Sequence, residues 1–273
     1  MSFAAMMVHV ELAEPRDDRI RLAAGLSSRF RSTLIGATAW EPRPPLSYGG
    51  VVVDTVPTGS QLQDMSDQLA EMGKHFTMVA GASRPTEWRA GIESPTEFVV
   101  RQARAADLVI IGRDRVPGDL YRTLDPGATI LRIGRPVLVV PAGVDSLKAE
   151  RVVIGWKDTR EARRAVRDSL PLLREASSVA IVQIIEFGDE KLAQAQIDDV
   201  AGYLARHHVP VTSKTTAYAA GSPHAELIRA AREMNADLVV AGGYGHSRLG
   251  EWIFGGVTQG MLASSPVCCL LSH

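Results

Sequence analysis

The chain has 273 residues, the length of about two ordinary domains. With 45% hydrophobic and 22% charged residues it has a soluble, globular composition. A formal net charge of −1 excludes the strongly basic balance expected of a nucleic-acid or membrane-surface binder. No stretch approaches the roughly 20 apolar residues that span a bilayer. The N-terminus lacks the basic start and apolar core of a signal peptide, so the expected place is the cytoplasm.

Short apolar runs alternate with longer amphipathic ones, the pattern of a parallel sheet flanked by helices. Strands are expected over 6–10 and 33–39, with a helix over 18–31 between them. A long loop rich in proline and glycine, 41–60, leads to a helix over 61–78 and a strand over 86–92. Ser94-Pro95-Thr96-Glu97 reads as a capping box, with Ser94 as N-cap and Glu97 at the third helical position. Strands over 108–111 and 137–140 follow. Gly143, Asp145 and Ser146 mark a boundary, giving domains at 1–145 and 146–273.

The second half repeats the order. Strands are expected over 151–156, 179–185, 209–218, 236–241 and 267–271, with helices over 161–176 and 191–207. Another helix starts at Ser222-Pro223, with serine as N-cap and proline at the first helical position, and a last one starts near Gly256. Cys268 and Cys269 are adjacent in an apolar run. Neighbours in a strand point to opposite faces, so they read as small core residues, not as a disulfide.

The repeat is visible in the letters. Ala106-Asp107-Leu108-Val109-Ile110-Ile111-Gly112 returns 130 residues later as Ala236-Asp237-Leu238-Val239-Val240-Ala241-Gly242, and the register holds to Pro136-Val137 and Pro266-Val267. In the second copy the strand runs into Gly242-Gly243-Tyr244-Gly245, nine residues follow, and Gly255-Gly256-Val257-Thr258 comes next. The first copy has Gly112, Arg115, Asp125 and Pro126 at the matching positions. A loop beyond the carboxyl end of a parallel strand is where α/β proteins bind ligands. Glycines there let backbone N–H groups approach an anion, and the following helix adds unpaired amides and a favourable dipole. Only the second half keeps that backbone.

On these residues the chain resembles the universal stress protein family in its tandem two-domain form. That family's nucleotide motif is Gly-x-x-Gly, nine residues, then Gly and Ser or Thr. Gly242, Gly245 and Gly255 match, and Gly256 stands in place of the hydroxyl residue. The resemblance covers essentially the whole chain and is clearer in the second half. It implies an α/β fold of two five-stranded parallel-sheet domains, Rossmann-like and of the adenine nucleotide alpha hydrolase-like type. The halves would form an intramolecular pseudo-dimer through their last strands, 137–140 against 267–271. It also implies ATP or another adenine nucleotide, with Mg²⁺, as ligand. Gly242 and Gly245, with Gly243 between them, would line ribose and phosphates, and Gly255 and Gly256 the terminal phosphates.

Two departures weaken that implication. The missing hydroxyl at Gly256 costs about 1.5–3 kcal/mol, or roughly one to two decades of affinity, and Thr258 stands two residues on as a replacement. The family usually carries Asp just past the first strand, on the adenine and ribose side. Here Lys157 takes that place and Asp158 follows it. Lys157 can instead reach a phosphate, and Asp158 either contacts the nucleotide or caps the next helix. His246 and Arg248 lie within the nine-residue span, where they either reach an anion or face solvent, and Trp252 and Phe254 read as packing residues.

The first half is expected to be silent toward nucleotide. Asp125 would cap its own helix with a carboxylate, Pro126 has no N–H to donate, and Glu11 takes the approximate place of the first-strand acid. Arg115 can pair with Asp114, Asp119 or Asp125, and a different small molecule under the 44–57 loop stays open. Neither a phosphate-binding Gly-x-x-x-x-Gly-Lys loop nor a dinucleotide fingerprint after a first strand is present. The expected function is regulatory nucleotide or anion binding, with slow ATP hydrolysis at most. The rival is a nucleotide-free interaction module, and a homodimer or an unidentified protein partner stays open for either.

Overall fold

The computed structural model describes all residues except 1, 13–16, 44–46, 49–50, 53–56, 82–84, 114–120, 186–189, 219–221 and 245–255. The first half runs β1 (Ala5–His9), α1 (Asp17–Phe30), β2 (Thr33–Ala39), β3 (Ser47–Tyr48), β4 (Val51–Val52), α2 (Gly59–Ala80) and β5 (Thr86–Gly91). It continues through α3 (Pro95–Gln102), β6 (Leu108–Gly112), α4 (Pro126–Arg132) and β7 (Val137–Val140). The second half runs β8 (Arg151–Trp156), α5 (Arg160–Asp168), α6 (Leu170–Leu173), β9 (Ser178–Ile185), α7 (Glu190–Arg206) and β10 (Val211–Tyr218). It ends with α8 (Pro223–Glu233), β11 (Leu238–Gly242), α9 (Gly256–Ser264) and β12 (Cys268–Ser272).

Ten strands make one sheet in the order β10-β9-β8-β11-β12-β7-β6-β1-β2-β5, and β3 and β4 form a separate antiparallel pair. Each half contributes five parallel strands, and the halves meet antiparallel at β7 and β12, as the family resemblance implied. There Cys269 faces Val139, Leu270 faces Leu138 and Leu271 faces Val137. Cys269 is the repeat of Val139 at the 130-residue spacing, so this pair lies on the pseudo-twofold axis.

Both faces of the sheet are covered, which is why its central strands are uninterrupted apolar runs. One face carries α1, α2, α5, α6 and α7, with Ile20, Leu26, Phe76, Leu172 and Leu204 among its core residues. The other carries α3, α4, α8 and α9, with Phe98, Ile130, Leu227 and Met261. Cys268 packs into the first face and Cys269 into the second, and both thiols are free.

The repeated aspartate is a structural pin. Asp107 accepts the N–H groups of Ala4 and Ala5 at 2.7 and 3.1 Å, and Asp237 accepts those of Glu150 and Arg151, both at 3.1 Å. Each ties the start of β6 or β11 to the start of the neighbouring strand. The connection 141–150 is itself fastened, with Leu147 and Ala149 buried and the Gly143 N–H donated to Asp18 at 2.6 Å.

Several local expectations need correction. The helix expected over 161–176 breaks at Ser169 into α5 and α6, because Pro171 cannot continue it and the Ser169 hydroxyl donates back to Val166 O at 3.0 Å. Ser94 makes no side-chain cap bond, and the Glu97 carboxylate that would complete a capping box is paired with Arg132 of α4. Ser222 likewise precedes Pro223 without capping, its hydroxyl lying 3.4 Å from His224 Nε2. A capping box does occur at Thr58 and Gln61, ahead of α2.

Burial pushes the thiols of Cys268 and Cys269 up from an ordinary value of 9.0 to about 12. At about pH 8 neither is a thiolate, so the native protein is expected to resist iodoacetamide and the unfolded chain to take two equivalents. Because folding raises both values, their contribution to stability is complete below about pH 9. It is expected to be lost as pH rises toward about 12, which chemical denaturation across that range measures.

Candidate functional site

The glycine turn is shaped by what presses on it. A Cβ at Gly242 would stand 2.7 Å from the Ala162 backbone nitrogen and 2.9 Å from the Glu161 Cβ, so β11 and the start of α5 approach as only glycine permits. Gly243 donates its N–H to Ser272 O at 2.8 Å, and a Cβ there would lie 2.8 Å from Ile130 Cγ2 on α4 of the first half. His273 Nδ1 sits 3.0 Å from Gly243 O.

Tyr244 comes next, buried and at φ +56°, a left-handed conformation costly for any side chain but glycine. Its N–H is donated to the Thr258 hydroxyl oxygen at 3.0 Å. Thr258 is only 2% exposed, so the hydroxyl expected to serve a ligand is engaged in tying the turn to the first turn of α9, with its own proton left to donate. α9 opens at Gly256, which is exposed and where a Cβ would meet none of the described residues within 4 Å. Gly245, His246 and Gly255, together with Arg248, Glu251, Trp252 and Phe254, lie outside the described residues.

At the end of β8, adjoining β11, Lys157 and Asp158 are both exposed. Asp158 is not the helix cap. Thr159 caps α5, accepting from Ala162 N at 3.3 Å, and Asp158 pairs with Arg163 at 2.5 Å. Sequence reasoning passed over Glu161, which is 4% exposed, lies beside Gly242 and pairs with Arg160. Burial works to raise its pKa, but hydrogen bonds from Arg160, its own backbone and Thr159 outweigh it, so the net shift is downward and the carboxylate stays charged. An acid in a helix's first turn after a threonine cap was the available signal.

The first half fills the same positions. By strand register Glu11 is the counterpart of Lys157, since Met6 pairs with Leu108 as Val152 pairs with Leu238. Glu11 is buried and bonded to buried Arg19 at 3.0 Å, and a Cβ at Gly112 would run into the Arg19 guanidinium and lie 2.8 Å from Glu11 Oε1. Asp125 caps α4 as expected, accepting from Ala128 N at 3.0 Å, while its own N–H goes to the Thr96 hydroxyl at 2.9 Å. Burial, aided by the Arg19 charge, pushes the nearby His9 imidazole down to about 3, so it is neutral. Arg115, Asp114 and Asp119 lie outside the described residues. A separate open cavity of about 440 Å³ lies between α2 and the end of β1, lined by Leu12, Asp67, Glu71, Met72, His75 and Arg122. Among the described residues no cluster of three or more His, Cys, Asp or Glu could hold a metal ion, and no helix is long and apolar enough to cross a membrane.

The described residues define a duplicated α/β protein with a closely packed glycine turn after β11 of its second half. The universal stress protein family model matches residues 149–273, the second half of the chain. No curated protein matches the chain. Among solved structures, a universal stress protein from Archaeoglobus fulgidus DSM 4304 is similar over 98% of this chain and 95% of its own, at 16% identity and a TM-score of 0.75. A functionally unknown protein from Pseudomonas aeruginosa PAO1 is similar over 99% of this chain and 92% of its own, at 13% identity and a TM-score of 0.57. Both likenesses bear on the fold, which they share from end to end.

The two glycines at either side of the turn are expected to respond in opposite ways. Gly242→Ala drives a methyl into the α5 backbone and should cost about 1–3 kcal/mol, comparable to other overpacked cores. Gly256→Ala, at an exposed position, should leave the urea midpoint unchanged or slightly raised.

Proposed function

We propose that the chain is a cytoplasmic universal stress protein whose second half binds an adenine nucleotide, ATP with Mg²⁺ foremost, as a regulatory signal. The observation that carries this reading is the contrast between two equivalent helix starts. At Gly256, where α9 begins beside the glycine turn, a Cβ would meet none of the described residues within 4 Å. At the matching start of α4, the Asp125 carboxylate caps the helix and the Tyr244 hydroxyl stands over Gly127. The N–H groups that open a helix have no partner within it and suit a phosphate group, and exposed Lys157 sets a cation at the end of β8. In this reading Gly242, Gly243, Gly245, His246, Gly255, Gly256, Thr258, Lys157 and Asp158 surround the ligand. Lys157 serves phosphate where an aspartate would have served ribose. Binding, rather than turnover, is the proposed act, with a protein partner responding to the bound state.

A second reading is a nucleotide-free interaction module built on the same pseudo-dimer. The Glu161 carboxylate, charged and buried beside Gly242, favours it, because an unscreened acid there repels phosphate. Its pairing with Arg160 offsets that charge and keeps the nucleotide reading first.

Calorimetric titration of nucleotide-stripped protein with Mg·ATP separates the two. One site per chain is expected, weakened by Lys157→Ala and removed by Gly256→Asp, which puts a carboxylate at the α9 start without its Cβ meeting any described residue. Gly256→Ser restores a hydroxyl to the turn and should tighten binding by roughly one to two decades. Absence of both heat and thermal shift at about millimolar ATP would sink the nucleotide reading and leave the interaction module.

A further inference from the structure

Tyr244 is the residue of the described glycine turn whose side chain reaches from one half into the other. Its backbone N–H is held by Thr258 in the first turn of α9 at 3.0 Å. Its hydroxyl reaches across the pseudo-twofold to the first turn of α4, where a Cβ added at Gly127 would stand only 2.7 Å from the phenol oxygen. The same point is 3.4 Å from Asp125 Oδ1 and 3.7 Å from the Tyr244 ring carbon that bears the hydroxyl, so oxygen alone occupies the tight space. Burial, and then the Asp125 charge, raise the phenol pKa and keep the hydroxyl protonated. A residue at φ +56° does not hold that conformation unless its surroundings over-determine it, and here its N–H is bonded to Thr258 while its phenol packs against the first turn of α4.

Among the described residues the first half answers with a contact of a different kind. In the first half Arg113 occupies the position of Gly243 and sends its guanidinium to Ser265 O, beyond the end of α9, at 2.7 Å. One half therefore grips the other's helix at its end, while the other inserts a strained tyrosine at a helix start. Gly127, whose counterpart in the second half is Val257, is small because Tyr244 needs its space.

We propose that Gly127 of the first half is a positioning residue for the glycine turn of the second half, acting through Tyr244. The first half's own anion turn is then a seat for this phenol, and the ligand site of the second half is incomplete without the first half beside it. The inference rests on the proposed nucleotide site for its ligand arm, while its conformational arm stands without a ligand.

The test is a cycle across the two halves in the full chain, using Gly127→Ala, Tyr244→Phe and the double variant. Amide hydrogen exchange at Tyr244 is followed without ligand, and Mg·ATP affinity is measured by calorimetry. Gly127→Ala should displace the phenol, speed exchange at the Tyr244 amide and weaken Mg·ATP about tenfold, within the usual range of coupling between sites. Removing the hydroxyl makes room for the new methyl, so Gly127→Ala/Tyr244→Phe should restore both readouts, a rescue that general damage to the interface would not give. Tyr244→Phe alone should stay close to wild type. Should Gly127→Ala fail to fold, Tyr244→Ala serves in its place and should show the same loss of Tyr244-position protection and of affinity. Unchanged exchange in Gly127→Ala, or no recovery in the double variant, overturns the proposal. If wild type binds no Mg·ATP, the nucleotide reading fails by itself, and exchange with its rescue still decides whether the first half sets the turn.

Discussion

The antiparallel ladder between β7 and β12 is the contact on which the rest of the molecule depends. Each is the last strand of its half, and each would be a free edge if the halves were apart. Paired, they become the centre of a ten-stranded sheet, with the residues of both strands almost wholly buried. The helices that lead into them, α4 and α9, are thereby brought side by side. Ile130 against Gly243, Arg113 against Ser265 and Tyr244 against Gly127 are all consequences of that ladder.

Much of the fold was legible because burial on both faces leaves a continuous apolar run. Strands 33–39, 137–140 and 151–156 were read to the residue for that reason. Helix ends were read less well, since a cap depends on which of several polar neighbours wins. Thr159 takes the N-cap while Asp158 pairs with an arginine, and Glu97 pairs with Arg132. The break at Ser169 was signalled by Pro171 and was missed because the apolar face continues through Leu170, Leu172 and Leu173.

The candidate site divides in the same way. Lys157 and Gly256 were visible as departures at fixed spacing from the repeat and the family motif. Glu161 and Tyr244 were not, because their surroundings come from segments remote in the chain. Glu161 gains its place from the close approach of α5 to Gly242, and Tyr244 gains its place from a helix start in the other half. A glycine in a motif reports that something comes near it. What comes near is a property of the folded chain.

The position of the axis has a further meaning. In an assembly of two identical chains, a residue on the twofold must fit its own image, and any substitution there is made on both sides at once. Here the axis runs through Val139 and Cys269, which belong to one polypeptide and are unlike. Covalent joining of the halves released that self-matching constraint, and the release extends outward from the axis. Arg113 opposite the matching Gly243, and Gly127 opposite the matching Val257, are pairs that no symmetric dimer could sustain. The molecule has the architecture of a symmetric partnership between members that are free to differ.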